Sequence, residues 1–225
     1  MNTDNWNYIY KIARGTVCPT NLMYTPLSNT ENNIMCMHWS KDTPYLKSNE
    51  RLTDELLDFF FERESTYIQK FQSYDWAPEL IDIDLKNKKI FLEWNPNTLN
   101  QILFKDNKDI NEVCSDWKSQ IFQILKDITD ADCYKMALYP HCFYLKDGKI
   151  KTIDFYSCLL RPERYIDRKH INGLVGPDSG KRFDEATTSN DHIDFSVFFK
   201  NTLELHLGTI WPDNPFPDFY KRLYG

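Results

Sequence analysis

Between Lys135 and Cys158 the chain reads KMALYPHCFYLKDGKIKTIDFYSC, and this run gathers several reactive side chains. Asp154 is a carboxylate that either holds a divalent metal or caps a strand end. His141 is a metal ligand or general base, or else a histidine satisfied by a backbone carbonyl. Lys135 offers its ammonium to an anionic phosphate, or simply to solvent. Cys133, His141, Cys142 and Cys158 also make a conceivable zinc set, but their spacing matches no common pattern. A metal site built on Asp154 and His141 requires the two side chains within ~10 Å of each other. Tyr139-Pro140-His141 bears on this, because Pro140 pushes Tyr139 toward extended geometry. That aims the Tyr139 or the His141 ring either into a cleft or into the core.

The elements that must position these residues can be read along the chain. Asp147-Gly148 separates the runs CFYLK and KIKTID, and Asp-Gly between such runs is a strong hairpin signal, since both turn positions tolerate φ > 0. Upstream, residues 6–14 read as a strand, LMYTPLS as a second strand interrupted by Pro26, and residues 32–40 as a third. Leu52, Leu56, Phe59, Phe60, Arg63, Tyr67 and Phe71 follow at helical spacing, predicting a helix over roughly 49–72 capped by Ser48 or Asn49. ELIDIDLKNKKIFLEW reads as a hairpin of two strands. NTLNQILFK reads as a short helix. A long amphipathic helix follows, with Val113, Trp117, Ile121, Ile124, Leu125 and Ile128 on one stripe. The tail from residue 161 carries a helix near DFSVFFKNTLELHL.

Composition narrows the function classes. The chain has 225 residues, enough for one large domain, and 41% hydrophobic residues supply a real core. A net charge of -6 argues against a general nucleic-acid binder, which needs a basic face. The N-terminus lacks a signal-peptide pattern, and no window approaches the ~18 apolar residues of a membrane span. The expectation is therefore a cytoplasmic protein with reduced thiols.

The element order is three strands, a helix, two strands, then helices, a hairpin and a tail. This order resembles the protein-kinase-like fold, in particular the divergent branch with the aminoglycoside and lipopolysaccharide-core kinases. The resemblance covers roughly residues 6–160. It implies an α+β protein of two lobes, an N-terminal sheet lobe over 1–94 and a helical lobe over 95–225, with a nucleotide between them. In that family a catalytic-loop Asp takes the substrate proton, an Asn binds metal, and the Asp of Asp-Phe-Gly binds Mg²⁺. Asp154-Phe155 stands at the metal Asp, with Tyr156 in place of the Gly. Counting back across the hairpin, His141 or Cys142 falls at the Asn. Tyr134-Lys135-Met136 occupies the place of His-Arg-Asp, and Met136 cannot act as a base, although Asp132 lies just upstream. In the small lobe only Gly15 remains of a Gly-rich loop. Lys41, beyond His38, would pair with Glu64 or Glu62 to steady phosphates. Glu93, Trp94 and Asn95 would form the hinge that holds an adenine.

The resemblance thus implies ATP and Mg²⁺ as cofactors, a nucleotide and a small-molecule or protein acceptor as partners, and either a divergent phosphotransferase or a pseudokinase acting as a binding module. An interaction protein without a nucleotide site is the third reading. Two other motifs suggest different classes. Asp82 and Asp84 form a D-x-D that suits a metal-dependent glycosyltransferase, or the solvent face of a strand. GPDSGKRF at 176–183 lacks the Ser or Thr that follows the Lys of a P-loop, and reads as a surface loop. Abundant Asn, Lys and Ile with few Gly point to an AT-rich genome, as in a phage or other virus.

Overall fold

Most of the strands in the N-terminal half join a single antiparallel sheet. The computed structural model describes residues 1–9, 12–13, 16–17, 24–29, 31–43, 46, 52–135, 138–160, 165–167 and 192–194. Gly15, Cys18, Met136, the 176–183 loop and the helix expected beyond Asp194 lie outside them. The strand expected over 6–14 is two short pieces, β1 (Asn7–Tyr8) and β2 (Ile12–Ala13), and β2 pairs with β3 (Thr16–Val17). β4 (Thr25–Asn29) and β5 (Ile34–His38) follow, and after a helix come β6 (Leu80–Asp84) and β7 (Lys89–Glu93). The five-stranded sheet runs in the order β1-β4-β5-β7-β6.

Pro26 does not interrupt β4. It pairs with Met37 of β5, and its carbonyl accepts from the Ile9 N–H at 2.9 Å. β1 pairs with β4 only at Ser28 and Leu27, and the N–H that Pro26 lacks would have faced Ile9, where that ladder ends. β5 is the central strand, and Met35, Cys36 and Met37 are buried on it.

The first helix, α1 (Asp54–Lys70), starts later than the spacing predicts. Thr53, not Ser48 or Asn49, is its N-cap. The Thr53 hydroxyl accepts the Leu56 N–H at 3.1 Å, and Asp54 and Glu55 favour the positive end of the helix dipole. Leu56, Leu57, Phe60, Phe61, Tyr67 and Ile68 form its buried face.

Beyond β7 the expected short helix is wound more widely. Residues Gln101–Lys105 form a π-helical turn, closed by Asp106 N–H to the Gln101 carbonyl at 2.9 Å. The expected long helix is two, α2 (Ile110–Val113) and α3 (Trp117–Asp130). Cys114 breaks them with φ -153, which resets the helical phase. Val113 therefore leaves the apolar stripe and is 38% exposed, while Trp117, Ile121, Ile124, Leu125 and Ile128 stay buried.

β8 (Cys133–Tyr134) leads into the hairpin of β9 (Phe143–Lys146) and β10 (Lys149–Thr152). Asp147 and Gly148 turn it with φ of 51 and 74, as Asp-Gly requires. β11 (Leu159–Leu160) returns to pair with β8, and in the tail β12 (Tyr165–Asp167) pairs with β13 (His192–Asp194). The protein is thus α+β, with a small antiparallel sheet and helices. One continuous apolar core runs from Tyr24 to Cys158 through Leu92, Trp94 and Leu99. Among the described residues no helix is long and apolar enough to cross a membrane.

Candidate metal centre

The hairpin register builds the site. β9 and β10 pair Phe143 with Thr152, and continuing that register sets Cys142 against Ile153 and His141 against Asp154. The backbone keeps the register past the ladder's end. Ile153 N–H donates to the Cys142 carbonyl at 2.9 Å, and the Thr152 hydroxyl donates to the same oxygen at 3.0 Å. On the other side, Pro140 opens a 3-10 turn over Pro140–Cys142, closed by Cys142 N–H to the Tyr139 carbonyl at 2.8 Å. Proline suits that first position because its missing N–H has no partner there anyway. Tyr139 is extended, at φ -77 and ψ 146, and its ring stacks on His141 with centroids 5.2 Å apart and planes 5° from parallel.

Asp154 takes a left-handed backbone conformation, φ 66 and ψ 56, before a 3-10 turn over Phe155–Ser157. Such a conformation costs a non-glycine residue energy that its surroundings must offset. Its surroundings do hold it on several sides. The Lys135 ammonium donates to the carbonyls of Ile153 at 2.6 Å and of Asp154 at 3.1 Å, and lies 4.9 Å from the centroid of the Phe155 ring. The Tyr24 hydroxyl, at the start of β4, donates to Asp154 Oδ1, and the Cys142 thiol donates to Oδ2 at 3.0 Å. Asp154 and Lys135 are each only 1% exposed. Burial above all, and then the Asp154 carboxylate, hold the Tyr24 hydroxyl far above its ordinary pKa, so it remains a proton donor.

α1 closes the turn from the other side. Glu64 accepts the Tyr156 N–H at 2.5 Å, and Arg63 donates to the Cys158 carbonyl at 2.7 Å. Phe155 sits 5.4 Å from Phe71 and 6.2 Å from Trp76, whereas Tyr156 packs edge-on to Trp39 and Phe60.

The structure thus brings Asp154, His141 and Lys135 together. One ligand atom each from His141, Cys142 and Asp154 lies within 4.8 Å of the others. Of the conceivable zinc set, His141 and Cys142 belong to this group, and Asp154 takes the place of Cys133 and Cys158. Lys135 is no solvated lysine, since both its carbonyl partners are buried beneath the Asp154 turn. Asp132 is exposed, and its φ of 59 ends α3 in the left-handed form.

Of the remaining expected residues, Glu64 on α1 reaches the Asp154 turn through the Tyr156 N–H, and Lys41 lies in the turn after β5. Glu93 ends β7 with its carboxylate paired to both Lys146 and Lys151. Burial opposes ionisation of Glu93, but the hydrogen bonds from the two lysines outweigh it and lower the pKa. The N–H of Glu93 donates to Glu79 at 2.9 Å and that of Trp94 to Asn33 at 2.7 Å, while the Asn95 side chain accepts the Asn97 N–H at 2.9 Å. Asp82 and Asp84 lie on the edge strand β6 and serve local backbone. Asp82 accepts the Ile83 N–H, and Asp84 accepts the N–H and side-chain amide of Asn87.

Tyr24 is the site residue that sequence reasoning missed. A tyrosine before a strand carries no spacing signal, and its bond to Asp154 joins segments 130 residues apart.

The donors at this centre do not suit Mg²⁺. That ion wants oxygen ligands in near-ideal octahedral geometry. Here a single carboxylate faces an imidazole and a thiol.

No family model matches the chain, and no curated protein matches it. Among solved structures it is similar to the bifunctional kinase-methyltransferase WbdD, at 13% identity and a TM-score of 0.46, covering 81% of this chain and 43% of that one. It is also similar to WbdD crystallised with a kinase inhibitor, at 14% identity and a TM-score of 0.46, covering 82% and 44%. A higher-resolution WbdD structure is 12% identical, with a TM-score of 0.46 and coverage of 95% and 50%. The chain spans half or less of the length of these structures.

Proposed function

We propose that this chain is a kinase-like protein that has kept the scaffold and lost phosphoryl transfer, and works as a binding module. The observation that carries this reading is the state of Asp154. Its carboxylate is buried, with one oxygen taken by the Tyr24 hydroxyl and the other by the Cys142 thiol. A carboxylate that ties the sheet to the hairpin beside a thiol and an imidazole does not offer the oxygen ligands of a phosphate-bridging Mg²⁺, which phosphoryl transfer needs. Lys135 supports the same reading, because its ammonium braces backbone in the segment where a catalytic loop would present its base. At the hinge position, the N–H groups of Glu93 and Trp94 are bonded within the protein instead of facing an adenine.

The second reading is a divergent phosphotransferase using ATP and Mg²⁺. The placement of Asp154-Phe155 at the hairpin's end, against α1, favours it. Thermal melting with millimolar ATP, with and without Mg²⁺ or Mn²⁺, separates the two, together with a labelled-phosphate transfer assay. A ligand at 100 times its Kd stabilises a protein by about 2.7 kcal/mol. The binding-module reading expects no transfer and no Mg²⁺-dependent rise in Tm. A Mg²⁺-dependent rise with ATP that vanishes in Asp154→Asn, accompanied by transfer, overturns it.

A further inference from the structure

We propose that His141, Cys142 and Asp154 form a site for a borderline divalent cation of the zinc class, in place of the magnesium site that the fold resemblance implies. The inference does not rest on the binding-module reading. It rests on the donor set, the geometry and the support around each ligand.

An imidazole nitrogen, a thiolate and a carboxylate oxygen are the ligand types that zinc takes, at about 2.0–2.3 Å each. Two such ligands at tetrahedral angles stand about 3.5 Å apart. The three donor atoms here already lie within 4.8 Å of one another, and Cys142 Sγ is 3.0 Å from Asp154 Oδ2. Closing on a cation therefore needs shifts of the donor atoms on the order of 1 Å.

Each ligand is also held in place. The Tyr24 hydroxyl binds Oδ1 of Asp154, which turns Oδ2 toward Cys142. The Lys135 ammonium fixes the Asp154 carbonyl, and the Cys142 carbonyl is fixed by Thr152 and Ile153. Stacking on Tyr139 fixes the plane of the His141 ring. Partners of this kind set ligand orientation, and their loss typically costs 10–100-fold in metal affinity.

Binding is an exchange of one proton for the metal. The Cys142 S–H bond breaks, its proton leaves to water, and the sulfur pair forms the bond to the cation. The thiolate and the Asp154 carboxylate then balance the two positive charges, with His141 neutral. Three protein ligands leave a fourth position for water or for a group from a bound partner.

The test uses the purified full chain. Dialysis against Zn²⁺ followed by elemental analysis should give one equivalent. Titration with Co²⁺ should give the visible bands of a tetrahedral ion and a thiolate-to-cobalt charge-transfer absorption, both reversed by Zn²⁺ and unaffected by millimolar Mg²⁺. His141→Gln and Cys142→Ser should each weaken Zn²⁺ binding at least about tenfold, in line with the loss of a ligand. Cys142→Ser should also abolish the charge-transfer band, whereas Cys114→Ser should leave both unchanged. Cys142 is buried and its variant is at risk of misfolding, so the half-buried His141 provides the independent arm. Absence of the charge-transfer band in the unmodified protein overturns the proposal, as does unchanged Zn²⁺ affinity in folded His141→Gln. Failure here leaves the ATP melting result untouched, and failure there leaves the metal stoichiometry untouched.

Discussion

The Tyr24 hydroxyl donates to the Asp154 carboxylate across 130 positions of sequence, linking the start of β4 to the end of the β9–β10 hairpin. Both groups are buried, so the bond replaces water for each. Removing the donor leaves a buried carboxylate short of a partner, at a cost of about 1–3 kcal/mol. Tyr24→Phe should lower stability by that amount in urea denaturation, with an unchanged m-value. The double variant with Asp154→Asn should fall short of the sum of the single effects, because the two residues share one interaction. Simple additivity would detach Tyr24 from Asp154 and weaken the reading of Asp154 as a structural tie.

Lys135 should matter to stability as well. Its ammonium satisfies two buried carbonyls and sits against Phe155. Lys135→Met keeps the apolar stem and removes the ammonium that the Ile153 and Asp154 carbonyls share. A loss of about 1–3 kcal/mol is expected, visible as a lower denaturation midpoint. A solvated lysine would cost far less, so a change within about 0.5 kcal/mol would contradict the buried role.

What the sequence revealed about this site followed from local chemistry. Asp-Gly at 147–148 marks the hairpin, and its register sets His141 against Asp154, while the 3-10 turn at Pro140–Cys142 and the left-handed Asp154 bring in the Cys142 thiol. The stripe of α3 was legible because its period survives from Trp117 to Ile128. Val113 leaves the stripe because a single extended residue, Cys114, resets the helix phase, and no residue type announces that break. Ser48, Asn49 and Thr53 are all competent cap types, so residue type alone does not single out Thr53. Tyr24 and the burial of Lys135 were invisible for a different reason. Both depend on contacts between segments far apart in the chain, which periodicity does not encode.

Acid should act partly through Glu93. Its carboxylate pairs with Lys146 and Lys151, and its net pKa is lowered despite burial. A depressed carboxyl pKa contributes stability that is fully present above the unfolded value, about 4.3 for glutamate, and is lost as pH falls through the folded value. Lys146 agrees in sense, since its hydrogen bond to Glu93 raises its own pKa. Glu93→Gln should therefore be less stable than the unmodified protein at pH 7, and the gap should narrow as pH falls below about 4. Denaturation midpoints at pH 7, 5, 4 and 3 follow the gap. A gap that stays constant over this range would show that the pair adds no pH-dependent stability.

The turn at Gly148 links hairpin geometry to the metal centre. Its φ of 74 suits glycine, and a methyl group added there would meet nothing within 4 Å. Gly148→Ala therefore introduces backbone strain without a clash, worth about 1–2 kcal/mol. If the strained turn keeps its two-residue form, the register holds and His141 stays opposite Asp154. The variant should then lose that much stability in urea while binding Zn²⁺ with unchanged stoichiometry. Inserting one glycine between Asp147 and Gly148 tests the register itself. It lengthens the loop without touching a ligand, and a one-residue slip turns every side chain of one strand to the other face. The insertion should abolish the thiolate-to-cobalt band in a protein that still folds by circular dichroism. Retention of the band would mean that contacts from Tyr24, Lys135 and α1 hold the Asp154 turn in place without help from the hairpin.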